Sequence, residues 1–146
     1  MPLPKTISFA IEGKPVYMQH ILERMTPEER AKAPTFGEEY AGTFELRWPT
    51  AGDRLRIQAL TSAYFQRQGQ SDHRANDPDA FLLAQALVYF DVLATEGGRP
   101  TWCSQDTPDD GRLISAIICA WDIAERDFAA AKKGSPQTGA PSSAGS

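Results

Sequence analysis

The sequence predicts an α+β, predominantly α-helical fold, with a helical core around one buried helix, a small N-terminal β-hairpin and one further strand. Three observations carry this reading. Residues 81–96, FLLAQALVYFDVLATE, are apolar on almost every side, interrupted only by polar residues such as Gln85 and Asp91. A helix without a polar face belongs inside a domain or a membrane, and this one is shorter than the roughly 20 residues that span a bilayer. Residues 113–128 repeat apolar side chains at helical spacing, and residues 43–48 alternate apolar with polar, the period of a half-buried strand.

The elements follow in order. Ile7, Phe9 and Ile11 alternate with Ser8 and Ala10, as a strand does. Glu12-Gly13-Lys14 supplies a turn, and Val16-Tyr17-Met18 reads as the returning strand. That strand should lie at an edge, because Pro15 has no amide hydrogen to donate. A turn of helix is expected between His20 and Met25. Thr26-Pro27-Glu28-Glu29 then starts a short helix: Thr26 caps an orphan amide, Pro27 suits the first position, and Glu29 completes a capping box. Pro34 keeps it short, and Phe36–Tyr40 reads as a loop.

In the best strand, Phe44, Leu46 and Trp48 share one face while Thr43, Glu45 and Arg47 share the other. Pro49 ends it. Thr50-Ala51-Gly52-Asp53 caps a helix expected to reach Gln68 and to bury Ile57, Leu60 and Tyr64. Gly69 to Asn76 has no periodicity and reads as an exposed loop. Asp77-Pro78-Asp79 opens the central helix with acid near its positive end, and Gly97-Gly98-Arg99-Pro100 stops it. Thr107-Pro108-Asp109-Asp110 is read as the start of the last helix. Its stripe of Leu113, Ile114, Ile117, Ile118, Trp121, Ala124 and Phe128 should face the central one. The chain thus divides into a hairpin and short helix (1–41), a helical core (42–133) and a Gly/Ser/Pro-rich tail (134–146) expected to be disordered.

A chain of 146 residues is most simply one domain, large enough to hold together without disulfides or metal. A net charge of -4 argues against a nucleic-acid binder with a broad basic face. Cys103 and Cys119 are too few for a disulfide scaffold, and reduced thiols are the simpler reading. The N-terminus makes a poor secretory leader, so a soluble cytoplasmic protein is expected.

Two acidic clusters raise a metal hypothesis: Asp72-His73 with Asp77 and Asp79, and Asp106 with Asp109 and Asp110. Neither has the alternating spacing and distal Glu of a calcium loop, and several of these residues serve as helix-start residues. His20 and His73 stand far apart, and phosphate-loop, nucleophile-elbow and dinucleotide motifs are missing. Cys103 with either histidine would suit nucleophilic catalysis, but nothing in the sequence favours that over two ordinary thiols. Cys119 reads as a packing residue. No catalytic, metal or cofactor-binding residue is assigned, and no cofactor is expected. Arg47, Arg54 and Arg56 beside Trp48 suggest a basic-aromatic patch. Strand alternation puts Arg47 and Trp48 on opposite faces, so a solvated face beside a core aromatic is the stronger reading.

The run FELRWPTAGDRLRIQAL, Phe44 to Leu60, is a strand ending in Arg, Trp and Pro-Thr and then a capped helix with an apolar stripe. It resembles the start of the core in tail assembly chaperones of long-tailed bacteriophages. The later ALVYFDVLATEGGRPTW is similar to the continuation of that pattern, and the resemblance covers Gly42 to Phe128. It implies a non-enzymatic protein of the infected bacterial host's cytoplasm. Such proteins hold the tape-measure protein while the tail-tube protein, a second candidate partner, polymerises around it. In many such phages a ribosomal frameshift makes a longer form, and the codons of Lys132-Lys133 are a candidate slippery site. No catalytic residue is implied. Phe36, Tyr40 and Trp102, aromatics in predicted loops, are the expected partner anchors. Alternative readings are a structural minor tail or tail-completion protein of the virion, and a small cytosolic enzyme. Homo-oligomerisation stays open. Truncation after Lys133 is expected to leave the melting temperature within error, because the tail has nothing to bury. A clear fall on truncation would show that residues 134–146 contribute to stability.

Overall fold

The computed structural model describes residues 5–66 and 78–133. Predicted features on residues 67–77 and 134–146, including the Asp72-His73 cluster and the C-terminal tail, lie outside it. The fold is α+β and mainly helical. Strands β1 (Thr6–Phe9) and β2 (Phe44–Arg47) form a two-stranded antiparallel sheet. Helices α1 (Gln19–Leu22) and α2 (Pro27–Lys32) come between them, together with a 3₁₀ turn at Glu38–Tyr40. The long helices are α3 (Ala51–Gln66), α4 (Pro78–Leu93) and α5 (Leu113–Lys132).

Helix α4 is the predicted central helix, opening at Pro78 as expected and ending at Leu93, three residues before Glu96. It packs against α3, α5 and β2, while β1 packs on α5. Ala84, Ala86–Phe90, Val92 and Leu93 are buried around most of its circumference. Its first turns are only half-buried at Phe81, Leu82 and Leu83, and Asp91 reaches solvent. The helix stops at Leu93 because the following backbone is used elsewhere. Ala94 bridges Leu46, the Thr95 amide donates to the Glu45 carbonyl, and the Glu45 amide donates to Gly98. The turn after α4 therefore covers the edge of β2 that β1 leaves free. Gly98 permits this approach, since a Cβ there would lie 2.5 Å from the Glu45 carbonyl oxygen.

The predicted N-terminal hairpin is replaced by a longer-range pairing. Ile7 faces Leu46 and Phe9 faces Phe44 in an antiparallel register. Val16–Met18 does not return beside β1. Its backbone runs along residues 34–36, with Pro15 bridging Thr35, the Val16 amide donating to Pro34 and the Phe36 amide donating to Lys14. The cause is the apolar content of β2. Phe44 is fully buried and its ring stacks on Phe9 at 4.9 Å, 6° from parallel. It also lies 4.8 Å from Phe90 and 5.7 Å from Trp102. Val16–Met18 offers no such partners, and Pro15 removes a ladder donor. Phe9, Ile11, Phe36 and Tyr40 join the same buried cluster as α4 and α5, so the division at residue 41 does not separate two cores.

Helix starts follow the sequence in two cases and depart from it in a third. Thr26 and Glu29 form the predicted reciprocal box, with bonds of 3.1 and 2.8 Å. Thr50 and Asp53 do the same for α3, at 3.1 and 2.9 Å. Asp109 and Asp110, expected to start α5, instead accept from the amides of Gly111 and Arg112 in a turn ahead of it. Helix α5 begins only at Leu113. Leu60 is a further departure: it is 43% exposed, while α3 buries Ile57 as expected together with Asp53 and Thr61. The Thr61 hydroxyl is satisfied by the Ile57 carbonyl at 2.7 Å.

Because rings from β1, α4 and the loop at Trp102 meet on the Phe44 ring, Phe44→Ala is expected to destabilise the protein by about 3–5 kcal/mol, the usual range for a buried Phe. Equilibrium urea denaturation measures this, and an unchanged midpoint would show that the β1–β2 pairing does not depend on the aromatic cluster.

Candidate functional site

An apolar groove of about 540 Å³ opens between the N-terminal segments and the starts of α4 and α5. It is lined by Val16–Met18 with Ile21 of α1 and, paired beside that segment, by Pro34–Gly37 with Tyr40. Leu82 and Asp79 from the start of α4 and Arg112, Ser115, Ile118 and Cys119 around the start of α5 complete it. This volume falls within the range of roughly 300–1,000 Å³ common for ligand pockets.

Local chemistry anchors the lining segments. Helix α1 is too short to bury a residue of its own. Its N-terminus is pinned by Asp122 of α5, which accepts from the Gln19 amide at 3.1 Å. Arg30 of α2 donates to the carbonyls of Leu22 and Met25, closing the C-terminal side of α1. The Pro34–Tyr40 segment is anchored through rings. Phe36 meets Tyr40 edge-on at 5.5 Å, and Tyr40 meets Trp102 at 5.2 Å.

These contacts redefine the predicted anchors. Phe36 and Tyr40 are only 4% and 5% exposed. Both form part of the groove wall. Trp102 lies beyond Tyr40 and does not line the groove; its indole N–H donates to the Ala41 carbonyl at 2.9 Å. The three aromatics are drawn inward because their rings extend the cluster around Phe44. The lining residues Met18, Ile21, Leu82 and Ile118 were not singled out as partner contacts. The one signal that could have found them was Val16–Met18, apolar and unable to form a full ladder behind Pro15.

Charges at the groove are few. Asp79 and Arg112 are the charged side chains that line it. Arg112 contacts the carboxylates of Glu39 and Asp110, each at 3.2 Å. Asp110 is held below the usual carboxylate range, mainly by the Arg112 amide. The Tyr40 hydroxyl is pushed upward, first by burial and then by the charge of Asp110.

The other candidates resolve into structural roles. Cys103 is fully buried and burial raises its thiol to about 12, so it is neutral at physiological pH. Cys119 is 4% exposed and raised to about 11 by burial. The two are separate free thiols. His20 is exposed on α1. Among the described residues no group of three or more His, Cys, Asp or Glu converges as metal ligands would. Arg47, read as a solvated residue, is instead a staple. It donates to both Asp53 oxygens at 2.5 and 2.8 Å and to the Val92 carbonyl at 3.0 Å. Arg54 pairs with Glu125 of α5 at 3.3 Å, and Trp48 packs edge-on against Phe128.

Comparison of the chain with family models, curated proteins and solved structures returned no match. No helix among the described residues is long and apolar enough to cross a membrane.

The Arg47 staple generates a pH prediction. Hydrogen bonds from Arg47, then from the Thr50 amide, hold Asp53 well below its ordinary pKa. The unfolded chain therefore takes up this proton first as pH falls. The stabilisation is fully present above the unfolded value of about 4 and is lost as pH drops below it. Asp53→Asn is expected to cost about 1–3 kcal/mol near neutrality, the scale of a charged hydrogen bond. The gap between wild type and variant should narrow below pH 4, as read by denaturant midpoints, and a gap independent of pH would exclude the ion pair as its source.

Proposed function

We propose that this protein is a non-enzymatic tail assembly chaperone that holds the tape-measure protein of a long-tailed bacteriophage in the host cytoplasm until the tail tube encloses it. The observation that carries the reading is the apolar groove between α1, the Pro34–Tyr40 segment and the starts of α4 and α5. Most of its lining comes from residues 16–40, ahead of the stretch from Gly42 to Phe128 that carries the resemblance. The groove thus adds a surface of suitable chemistry and not a further match to the family.

The physical logic runs through helix geometry. A long helical chain exposes an apolar stripe that aggregates unless it is covered. An α-helix is about 10–12 Å across with its side chains, so a groove of about 540 Å³ accepts several side chains of one face, not a whole helix. Side chains at i, i+3, i+4 and i+7 would enter it. The groove receives anchors from the partner, with Phe36 and Tyr40 as wall. Binding of this kind covers a stripe piecemeal and releases it as the tube protein advances.

Co-expression with the tape-measure protein of the same phage is expected to raise that protein's soluble fraction and to co-purify the two chains, while mature virions lack this one. A tape-measure protein equally soluble alone, with nothing co-purifying, would refute the chaperone role. Recovery of this chain from purified virions would favour a structural tail component.

A further inference from the structure

We infer that the groove selects cationic amphipathic helices: an apolar stripe flanked by Lys or Arg in preference to Asp or Glu. The inference rests on the groove being the partner site and names the chemistry of the segment it takes.

Charge complementarity is the argument. The interior is lined by Val16, Met18, Ile21, Phe36, Leu82 and Ile118, which carry no charge. At the rim, Asp79 stands on the exposed first turn of α4. The lining cation, Arg112, is already neutralised, because it contacts two carboxylates, Glu39 and Asp110. That cluster carries a net negative charge, and Asp79 adds a second. A helix whose apolar side chains fill the groove brings its flanking residues against this rim. Lysines there meet unspent negative charge, whereas glutamates meet Asp79, Glu39 and Asp110 and are repelled. Such rim charges act mainly on partner choice and association rate, while the apolar interior supplies the affinity. The chain's net charge of -4 reinforces the same preference at longer range.

Two fluorescent helical peptides with one shared leucine stripe, flanked by Lys in one and Glu in the other, test this by anisotropy with the full-length protein. The Lys peptide is expected to bind about tenfold more tightly at low salt, with the ratio shrinking as added salt screens the rim. Asp79→Lys should reduce the ratio, and Arg112→Gln should increase it by freeing Glu39 and Asp110. Ser115→Trp places a bulky ring in the groove from an exposed position, so it should weaken the Lys peptide without unfolding the chain, as checked by circular dichroism. Equal affinities for the two peptides, with Ser115→Trp still blocking both, would overturn the charge preference and leave the groove as the binding site. Binding of neither peptide, or binding unaffected by Ser115→Trp, would overturn the groove itself as the partner site, and the inference with it.

Discussion

Arg47 is the point at which three parts of the fold are fixed relative to one another. Its guanidinium leaves the end of β2, grips both oxygens of Asp53 at the start of α3 and reaches the Val92 carbonyl near the end of α4. Asp53 simultaneously accepts from the Thr50 amide, so one carboxylate closes a helix cap and an ion pair. A planar fork suits this arrangement and a lysine would not, since a single ammonium cannot reproduce two parallel bonds. Asp53 is 7% exposed, so removing Arg47 would leave a nearly buried carboxylate unpaired. With Arg47 held this way, strand alternation turns Phe44 and Leu46 inward. The aromatic cluster on Phe44 depends on that register.

The groove forms on the opposite kind of structure. Helices α1 and α2 bury no residue of their own, and α1 rests on α5 through the bond from Gln19 to Asp122. Elements held by a few polar ties over little buried area belong to the low-stability end of a fold, where local opening costs least. The segment from Pro34 to Tyr40 is tied more firmly, because Phe36 and Tyr40 join the ring cluster. The groups whose protonation the fold shifts most have structural partners or surroundings. Tyr89, pushed upward by burial, donates to Glu125 at 2.8 Å, while Cys103 sits within the core.

Local signals were legible wherever a residue's effect is confined to its own turn. The boxes at Thr26-Glu29 and Thr50-Asp53 formed as read, because each is complete within four residues. The apolar run in α4 was legible as the middle of the fold, because burial on all sides needs no knowledge of which neighbour provides it. Helix α3 was less transparent. Its inward face mixes Asp53, Ile57 and Thr61 with a partly buried Tyr64, and Leu60 points towards solvent. Apolar periodicity thus found Ile57 and Tyr64 but missed the polar members of the face. The aspartates at 109 and 110 carried a cap signature, but their carboxylates were captured by the next turn.

By itself, then, the sequence determined the fold class, the central helix, the last amphipathic helix and two of the helix caps, all properties of spacing along one segment. Strand pairing, the Arg47 staple and the groove were decided only in three dimensions. Phe9 and Phe44 are separated by the whole α1–α2 region, and nothing in either segment names the other. Arg47 reads as a surface residue until Asp53 and Val92 are brought to it. The groove walls come from residues 16–21, 34–40, 79–82 and 112–119, and a recess between distant segments leaves no periodic trace in any of them. Its chemistry is written in the sequence, but its existence is a consequence of packing.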